Sequence, residues 1–339
     1  MKNIPHRLFL EITTECNLYC KICKLWKQKD PLDKINLETK LNFLQRFFEW
    51  IRNFNGANQK PLSVILTGGE PFLFPNQIFE ISHLCQENGV KSYVNTNGSL
   101  IKNKLDRILN STLTALTISI DSHLSKIHDN LRERIGLFDT LIKILKDLRC
   151  KKKENGYPIK IYIQSILGNW NIGSLEAHIN FFKDLDIDGI MFQPIQYPFG
   201  LQIPNGWYLT FDKFPHYKDD IQYAINYLLK EKQYNGFVMN SKEEIELWKF
   251  YFENPEYLSD SINPCRSFEQ NMIVDVCGNV KFCFNRELVP ETKIGNILTT
   301  SIDKLWTGKN ALEEKNMMRL CNRACGVMAC HIDTNFRKD

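Results

Sequence analysis

Three cysteines lie within eight residues near the N-terminus, and this run restricts the fold more than any other feature of the sequence. The run reads Cys16-Asn17-Leu18-Tyr19-Cys20-Lys21-Ile22-Cys23, a C-x3-C-x2-C spacing. Buried structural cysteines follow the apolar periodicity of a helix or strand, whereas thiols this close can converge only if the backbone loops around one point. A metal centre requires such convergence. Three thiolates also leave a tetrahedral or cubane site one ligand short, so that one position stays open to a substrate or cofactor.

A zinc knuckle and a disulfide framework both fit this run less well. A zinc knuckle needs a fourth ligand nearby, and residues 1–35 offer only His6. A disulfide framework is disfavoured because the eleven cysteines are an odd number. No secretory signal forms at the N-terminus, since Glu11 interrupts the apolar run Leu8-Phe9-Leu10. We therefore expect reduced cysteines and a cytoplasmic protein.

Composition sets the outer bounds of the prediction. The chain has 339 residues, of which 43% are hydrophobic and 24% charged, as in an ordinary soluble globular protein of one large or two modest domains. No apolar run is long enough to span a bilayer. A formal net charge of +4 over the whole length gives no reason to expect a polyanionic partner. We expect neither a membrane nor a nucleic acid as partner.

Short apolar runs alternate with amphipathic stretches as far as residue 195. The predicted strands are Arg7–Thr13, 63–66, 91–94, 113–120, 159–166 and 189–195. The predicted helices cover 37–54, 76–88 and 138–150, and Ser174 is a candidate N-cap for another. Six such units predict an α/β fold with a parallel sheet and right-handed crossovers, closed or partly closed into a (β/α)6 barrel.

Polar residues collect at the carboxyl ends of these strands, which meet at one rim of a parallel sheet. They are Gly68, Gly69, Glu70, Asn95, Asn97, Ser119, Asp121, Gln164 and Gln193, and Arg132 follows Asp121 by eleven residues. Purely local roles stay open for several of them. Gly68-Gly69 can be a plain turn, Ser119 and Asp121 can cap a strand end, and Arg132 can form a surface salt bridge.

The cysteine run followed by Thr67-Gly68-Gly69-Glu70 resembles the radical SAM enzymes, although Ile22 stands where that family often has an aromatic residue. The resemblance implies that Cys16, Cys20 and Cys23 hold a [4Fe-4S] cluster whose fourth iron binds S-adenosylmethionine (SAM). It also implies that the glycines let the backbone approach the methionyl amino group, with Glu70 as its carboxylate partner. By the same resemblance Ser119 and Asp121 would contact the ribose or the methionyl carboxylate. The other rim residues, Asn95, Asn97, Arg132, Gln164 and Gln193, are further candidates for binding SAM.

A second cysteine group lies in the last quarter of the chain. Its members are Cys265, Cys277, Cys283, Cys321, Cys325 and Cys330. Apolar runs at 272–276 and 280–284 flank Gly278-Asn279, which predicts a β-hairpin. The pattern resembles the SPASM and twitch domains, small α+β domains that follow many radical SAM barrels.

That resemblance implies one auxiliary [4Fe-4S] cluster, held by Cys265, Cys283 and two of Cys321, Cys325 and Cys330. Cys277 is then an extra thiol. We expect His331 to be an exposed tail residue, and Cys85 and Cys150 to be packing residues. Structural zinc stays an alternative because it accepts the same ligands.

Three segments follow from these patterns: a radical SAM core at 1–196, a helical bridge at 197–262, and a SPASM/twitch-like domain at 263–339. The bridge is rich in aromatic residues, such as Trp207 and Tyr208, which we expect to fill the gap between the other two segments. From the position of Cys16 near the start and the short segment after Cys330, we expect no leader-binding domain before or after the barrel.

The resemblance implies an enzyme whose 5′-deoxyadenosyl radical abstracts hydrogen from an unactivated C–H bond. It also implies an external electron donor of the flavodoxin or ferredoxin type. The favoured substrate is a ribosomally made peptide, which would be crosslinked, epimerised, excised or oxidised with the help of a small partner protein or the bridge. A small sugar or aminocyclitol metabolite is the alternative. A non-enzymatic iron–sulfur or zinc module leaves the rim residues unexplained.

Overall fold

The α/β fold predicted from the sequence is confirmed in a computed structural model. The structure describes residues 4–54, 61–198, 201, 203–234, 236–256, 265–286, 294–321 and 325–332. Its eight strands are β1 Arg7–Thr13, β2 Ser63–Gly68, β3 Lys91–Thr96, β4 Ala115–Ser119, β5 Lys160–Leu167, β6 Gly189–Pro194, β7 Asn271–Val274 and β8 Val280–Lys281.

Helices follow the strands of the first two hundred residues and then dominate the bridge. They are α1 Leu37–Asn53, α2 Pro75–Glu87, α3 Leu105–Leu109, α4 Ser125–Arg132, α5 Leu137–Asn155, α6 Leu175–Asp184, α7 Trp207–Thr210, α8 Lys218–Tyr234, α9 Lys242–Glu253, α10 Ser267–Gln270, α11 Ile302–Thr307 and α12 Lys309–Arg319. None of the described helices is long and apolar enough to cross a bilayer.

Local chemistry accounts for where the elements begin and end. Helix α1 starts after Asn36, whose side chain accepts a hydrogen bond from the backbone N–H of Thr39 at 2.8 Å. Helix α5 ends at Gly156, which adopts the left-handed conformation. Ser174 occupies the N-cap position of α6 but makes no capping bond, because a 3-10 turn over Ile172–Ser174 leads into the helix instead. The short helices α3 and α4 were not predicted, since each offers too few turns for a periodic signal.

The predicted hairpin forms, but it joins the barrel sheet instead of standing apart. The strand order is β6-β5-β4-β3-β2-β1-β7-β8, with β7 parallel to β1 and β8 antiparallel to β7. Arg7 pairs with Asn271 and Leu10 with Val274. An uncovered β1 would expose a row of unpaired N–H and C=O groups, and β7 satisfies them. The sheet therefore crosses the boundary predicted at residue 263, and the three-segment division stays a prediction.

The aromatic residues of the bridge are packed against one another. Trp207 is only 6% exposed, and its ring lies 5.5 Å from that of Phe214. Phe214 in turn contacts Tyr251 and Phe252 of α9, at 6.2 and 5.8 Å. These rings stabilise the bridge, as expected for residues that fill space.

The two cysteines assigned to packing differ in the structure. Cys85 of α2 is fully buried, as expected. Cys150 is exposed, so its assignment was wrong. Helix α5 continues to Asn155, beyond the predicted end at residue 150, and Cys150 lies on its solvent side, away from the buried stripe that includes Leu145 and Leu148.

Because β1 has a hydrogen-bonded neighbour on each side, we expect its amides to exchange as slowly as those of a central strand. Hydrogen–deuterium exchange under anaerobic conditions should give protection for Arg7–Thr13 within about tenfold of that for Lys91–Thr96. Exchange of β1 that is faster than β3 by about a hundredfold or more would show that β7 does not cover this edge in solution.

Candidate cofactor and metal site

The cysteine loop is closed at its base by Asp30. Its carboxylate accepts hydrogen bonds from Thr13 Oγ1 at 2.6 Å, from the backbone N–H of Thr14 at 2.7 Å, and from the ammonium group of Lys34. Burial opposes ionisation of Asp30, yet the bonds from Lys34, Thr13 and Thr14 hold its pKa below the usual value. The carboxylate thus ties the end of the loop to the end of β1, which brings the three cysteines together between them.

Each thiol of the triad accepts a hydrogen bond from a nitrogen donor. Cys16 Sγ is 3.8 Å from Nδ2 of Asn97, and Cys20 Sγ is 3.9 Å from Nη1 of Arg132. The backbone N–H of Leu25 points to the thiol of Cys23. Donors directed at sulfur favour the thiolate, which is the form that binds metals.

Burial and mutual repulsion act against these thiolates while no metal is bound. Burial, with smaller contributions from Cys20, Glu70 and Cys23, raises the pKa of Cys16 to about 11. The packing residue Cys85 has its pKa raised to about 12 by burial alone, with no hydrogen-bond donor to offset it. Among the described residues, no three His, Cys, Asp or Glu side chains stand at the distances of a single bound metal ion. The three sulfurs of Cys16, Cys20 and Cys23 therefore fit a metal cluster, whose positive charge would stabilise several thiolates together.

The two glycines after β2 permit a close approach to the start of the cysteine loop. The N–H of Gly69 donates to the carbonyl of Thr13 at 2.7 Å, and that of Glu70 to the carbonyl of Glu15 at 2.8 Å. A Cβ atom on Gly69 would lie 1.9 Å from the Glu15 carbonyl oxygen, and one on Gly68 would lie 2.2 Å from that of Thr13. A side chain at either position would therefore force the two strand ends apart.

Glu70 is turned into the protein, where it organises the next strand end. Its Oε1 accepts from Thr96 Oγ1 at 2.7 Å and from the N–H of Phe72 at 2.9 Å, and its Oε2 accepts from the N–H of Asn97 at 2.8 Å. The residue is fully buried. Oε2 keeps one lone pair, so that Glu70 can accept one further donor. Its pairing with a methionyl amino group stays a prediction.

Asp121 and Arg132 form a buried ion pair behind the triad. Asp121 Oδ2 lies 2.7 Å from both Nε and Nη2 of Arg132, while Oδ1 accepts from the N–H of Ile166 at 3.0 Å. Asp121 is completely buried, so the pair is not the surface salt bridge that the sequence left open for Arg132. The carboxylate fixes the guanidinium, whose remaining nitrogen reaches Cys20.

The remaining rim residues share the concave face of the sheet. Register places Asn95 beside Thr117, Ser119 beside Gln164, and Ile166 beside Gln193, and side chains in register point to the same face. Each predicted residue of this group is half-buried, unlike the buried residues that alternate with it. Asn95, Ser119, Gln164 and Gln193 therefore line the interior of the partial barrel.

Four cysteines of the C-terminal group lie close enough together to influence one another. Burial raises the pKa of Cys265, and the thiols of Cys330, Cys325 and Cys283 raise it further. Cys321 raises the pKa of Cys325 less than Cys283 and Cys330 do. Three of these sulfurs also accept hydrogen bonds: Cys265 from the N–H of Ser267, Cys283 from that of Asn285, and Cys330 from Nδ2 of Asn271.

The structure also places His331 and Cys277, which the sequence predicted to be an exposed tail residue and an extra thiol. His331 is buried and not an exposed tail residue, because it follows Cys330 into the core against α10 and β7. Cys277 stands at the hairpin turn, where its thiol lies 3.4 Å from Oδ1 of Asp33. Burial and this carboxylate raise the pKa of Cys277 to about 11, so it stays a thiol.

The C-terminal cysteines span the open side of the partial barrel. Asn285, two residues after Cys283, donates from Nδ2 to Oε1 of Gln196 at 3.1 Å, just past β6. Gly326, next to Cys325, packs so closely on the Pro194 carbonyl that a Cβ atom would lie 2.5 Å from it. The ring of Phe284 lies 5.2 Å from that of Phe9 on the concave face of β1. The residues next to these cysteines therefore contact both β6 and β1, and they border the interior of the barrel.

Sequence reasoning missed Asp30, Trp26 and Asn271. Trp26 donates from Nε1 to the carbonyl of Cys23 at 2.9 Å, and Asn271 donates to the sulfur of Cys330. A polar residue in a strand that is otherwise apolar was a usable signal for Asn271. For Asp30 and Trp26, no spacing rule connects a loop residue to the cysteines that it holds.

Comparison with known families accounts for both cysteine groups. The radical SAM superfamily model matches residues 10–182, more than half of the chain, and the protein belongs to this superfamily. The model of the SPASM iron–sulfur cluster-binding domain matches residues 265–331. The protein is accordingly a radical SAM enzyme that uses SAM and a [4Fe-4S] cluster, and its SPASM domain implies auxiliary iron–sulfur clusters.

Several characterised relatives align with part of the chain. The AdoMet-dependent heme synthase of Methanosarcina barkeri is 27% identical over 44% of this chain and 40% of its own length. The antilisterial bacteriocin subtilosin biosynthesis protein AlbA of Bacillus subtilis is 30% identical over 42% of this chain and 30% of its own length. The radical SAM cyclopropyl synthase TigE of Paramaledivibacter caminithermalis is 25% identical over 60% of this chain and 49% of its own length. The chain spans less than half the length of each relative.

Solved structures show the same fold over nearly the whole chain. SuiB of Streptococcus suis bound to S-adenosylmethionine superposes with a TM-score of 0.70 at 19% identity, covering 94% of this chain and 68% of SuiB. The structure of anSMEcpe with bound AdoMet and a peptide superposes with a TM-score of 0.65 at 17% identity, covering 93% of this chain and 84% of anSMEcpe.

Replacing Asp30 by Asn should loosen the cysteine loop, since Thr13, Thr14 and Lys34 lose a charged acceptor. We expect the apoprotein to lose about 1–3 kcal/mol of unfolding free energy and the reconstituted protein to retain less iron. Because the pKa of Asp30 is lowered in the folded protein, its carboxylate stabilises the fold fully at any pH above the usual Asp pKa of about 4. The loss of unfolding free energy in Asp30→Asn should therefore be constant from about pH 8 to 5 and shrink only below about pH 4.

Asp33→Asn is the matched control for Asp30→Asn, because Asp33 is an exposed neighbour whose hydrogen-bond partner is Cys277. Two results would contradict this role of Asp30. One is that both variants lose equal unfolding free energy in urea and equal amounts of iron, and the other is that the loss in Asp30→Asn changes with pH near neutrality.

Replacing Arg132 by Met removes the positive charge beside Cys20 and leaves Asp121 behind. The thiolate-bound cluster then loses stabilisation of its reduced, more negative form, so its midpoint potential should fall. Arg132→Lys keeps the charge and should shift the potential less. Lys21→Met removes an exposed charge in the same loop, which solvent screens, and should shift it least. A redox titration followed by electron paramagnetic resonance measures all three, and an unchanged potential in Arg132→Met would refute the role of the arginine.

Proposed function

We propose that this enzyme modifies a ribosomally made peptide, in the cytoplasm, by crosslinking, epimerisation, excision or oxidation at an unactivated C–H bond. The bound cluster and SAM would supply a radical able to abstract hydrogen from such a bond. The protein's own task is then to hold the cofactors, orient the substrate and exclude water from the reacting atoms.

One observation carries this proposal. Asn285 and Phe284, which follow Cys283, contact Gln196 beyond β6 and Phe9 of β1 and border the barrel interior, while the cysteine triad lies at the rim of the same barrel. A substrate in the interior would stand between a site that begins the reaction and a site that can accept an electron. That arrangement suits oxidative chemistry on a substrate held in the barrel.

The rim residues divide into two proposed roles. We assign the interior residues Asn95, Ser119, Gln164 and Gln193 to direct contact with SAM or substrate, since their amides and hydroxyls face the open volume. Glu70, Asn97, Asp121 and Arg132 hold the triad from behind. Glu70 accepts from the backbone N–H of Asn97, whose side chain reaches Cys16, and the Asp121 carboxylate pairs with the Arg132 guanidinium, which reaches Cys20. Gly68 and Gly69 bring β2 against the cysteine loop.

We further propose that Cys265, Cys283, Cys325 and Cys330 hold one auxiliary [4Fe-4S] cluster. Cys283, Cys325 and Cys330 all raise the pKa of Cys265, and the effect of Cys321 on Cys325 is smaller than those of Cys283 and Cys330. Four thiolate ligands leave no open iron, which favours electron relay over direct substrate binding.

Peptide substrates are favoured by what similar proteins act on. AlbA acts in the biosynthesis of the bacteriocin subtilosin, SuiB has been crystallised with its precursor peptide SuiA, and anSMEcpe with a peptide. Trp207 is buried, so recognition by the bridge would use exposed rings such as Tyr217 and Tyr234, or a small partner protein.

The test is transfer of deuterium from a labelled precursor peptide into 5′-deoxyadenosine, followed by mass spectrometry under anaerobic conditions. We expect transfer with the intact enzyme, which should contain about eight iron atoms as two [4Fe-4S] clusters. Cys283→Ala should still cleave SAM but form little product, because the auxiliary cluster is lost. The triple variant Cys16→Ala, Cys20→Ala and Cys23→Ala should do neither.

Two outcomes would revise the proposal. Deuterium transfer from a labelled sugar or aminocyclitol, with none from any peptide, would replace the substrate class. Equal SAM cleavage by the triple variant and the intact enzyme would show that the radical site was assigned to the wrong cysteines.

A further inference from the structure

The outer side of the cysteine loop presents an aromatic pair to solvent. Tyr19 is 59% exposed and meets the half-buried Trp26 edge to face, with ring centroids 5.2 Å apart. Exposed Tyr and Trp side chains in contact are typical of protein interfaces, where they supply rigid area at a small entropic cost. We call the segment from residue 19 to residue 29 the Tyr19–Lys29 surface.

This surface is bonded directly to two cluster cysteines. The indole N–H of Trp26 donates to the carbonyl of Cys23 at 2.9 Å and lies 3.4 Å from that of Cys20. A 3-10 turn over Leu25–Lys27 holds the indole in this position. Any protein that covers Trp26 therefore approaches the triad through one side chain.

The same surface is positively charged. Four lysines and no acidic residue lie between residues 19 and 29. Lys21 is paired with Glu133 at 3.1 Å. Lys24 and Lys27 place their ammonium groups 5.4 and 5.6 Å from the centre of the Trp26 ring. Within the parts of the chain that the structure describes, Lys24, Lys27 and Lys29 form no ion pair.

We propose that the Tyr19–Lys29 surface is the docking site for an acidic one-electron carrier protein of the flavodoxin or ferredoxin type. The reduced carrier loses one electron and the cluster at Cys16, Cys20 and Cys23 gains it, with no bond or proton exchanged. The lysines attract the carrier's negative surface and speed encounter, while Tyr19 and Trp26 provide the contact area. The inference rests on the proposed function for the role of the first cluster and adds where its electron enters.

The test compares two charge-reversal variants of the reconstituted enzyme. Lys27→Glu with Lys29→Glu changes the docking surface while leaving Lys24, the neighbour of Cys23, in place. Lys143→Glu with Lys146→Glu makes the same change in charge on the exposed face of α5. The probe is a purified flavodoxin with a net negative charge. Its dissociation constant is measured with the holoenzyme, and SAM cleavage is followed with flavodoxin or with reduced methyl viologen as the electron donor.

We expect the Lys27/Lys29 variant to bind flavodoxin about tenfold more weakly and to cleave SAM about tenfold more slowly with it at low salt. Its viologen-driven rate should stay within about twofold of the wild type, as should every rate of the α5 variant. Added salt should slow the flavodoxin-driven reaction of the wild type much more than that of the Lys27/Lys29 variant.

Three results would overturn the docking site. The first is an equal effect of the two variants on flavodoxin binding. The second is an equal loss of the viologen-driven and flavodoxin-driven rates in the Lys27/Lys29 variant. The third is a loss of peptide binding in that variant while its flavodoxin binding is unchanged. Because SAM cleavage needs no peptide, a failure to modify any peptide would count against the proposed substrate class and leave this comparison intact.

Discussion

The site depends on the contact between the end of β2 and the start of the cysteine loop. Two backbone hydrogen bonds join Gly69 and Glu70 to the carbonyls of Thr13 and Glu15, at a separation that no residue with a Cβ atom permits at the glycines. This contact fixes where Glu70 enters the core. Glu70 then holds the backbone of Asn97, whose side chain reaches Cys16. One close approach thus aligns the ends of three strands around the triad.

Buried charge completes the arrangement on the opposite side of the triad. Asp121 and Arg132 are removed from water, which costs desolvation energy that a single ion pair repays only with good geometry and further hydrogen bonds. Here the backbone of Ile166 and the sulfur of Cys20 provide those bonds. A hydrophobic pair of similar size would leave the Ile166 N–H without its acceptor and the Cys20 sulfur without its donor, so the charged pair is explained by the groups that it bonds.

Much of this could be predicted from the sequence. Strand β1 was placed at its observed bounds, because it is a short apolar run and the cysteine loop begins where it ends. The cysteine groups followed from spacing, and the rim residues from their positions after each strand. Spacing does not give direction, however. The spacing could not show that the side chains of Glu70 and Asp121 are buried in the packed core, whereas those of Ser119 and Gln164 face the open interior of the barrel. The orientation depends on which neighbours supply hydrogen-bond donors.

The pairing of β7 with β1 was also beyond the sequence, and it affects how the protein is made. Arg7 donates a hydrogen bond to Gln270, a residue 263 positions later in the chain. A ribosome that adds about 5–20 residues per second releases β1 on the order of ten seconds or more before its partner exists. During that interval the nascent chain carries an unpaired strand edge next to three reactive thiols. Synthesis of this enzyme therefore includes a period in which the cysteine triad lies beside a strand edge that β7 does not yet cover.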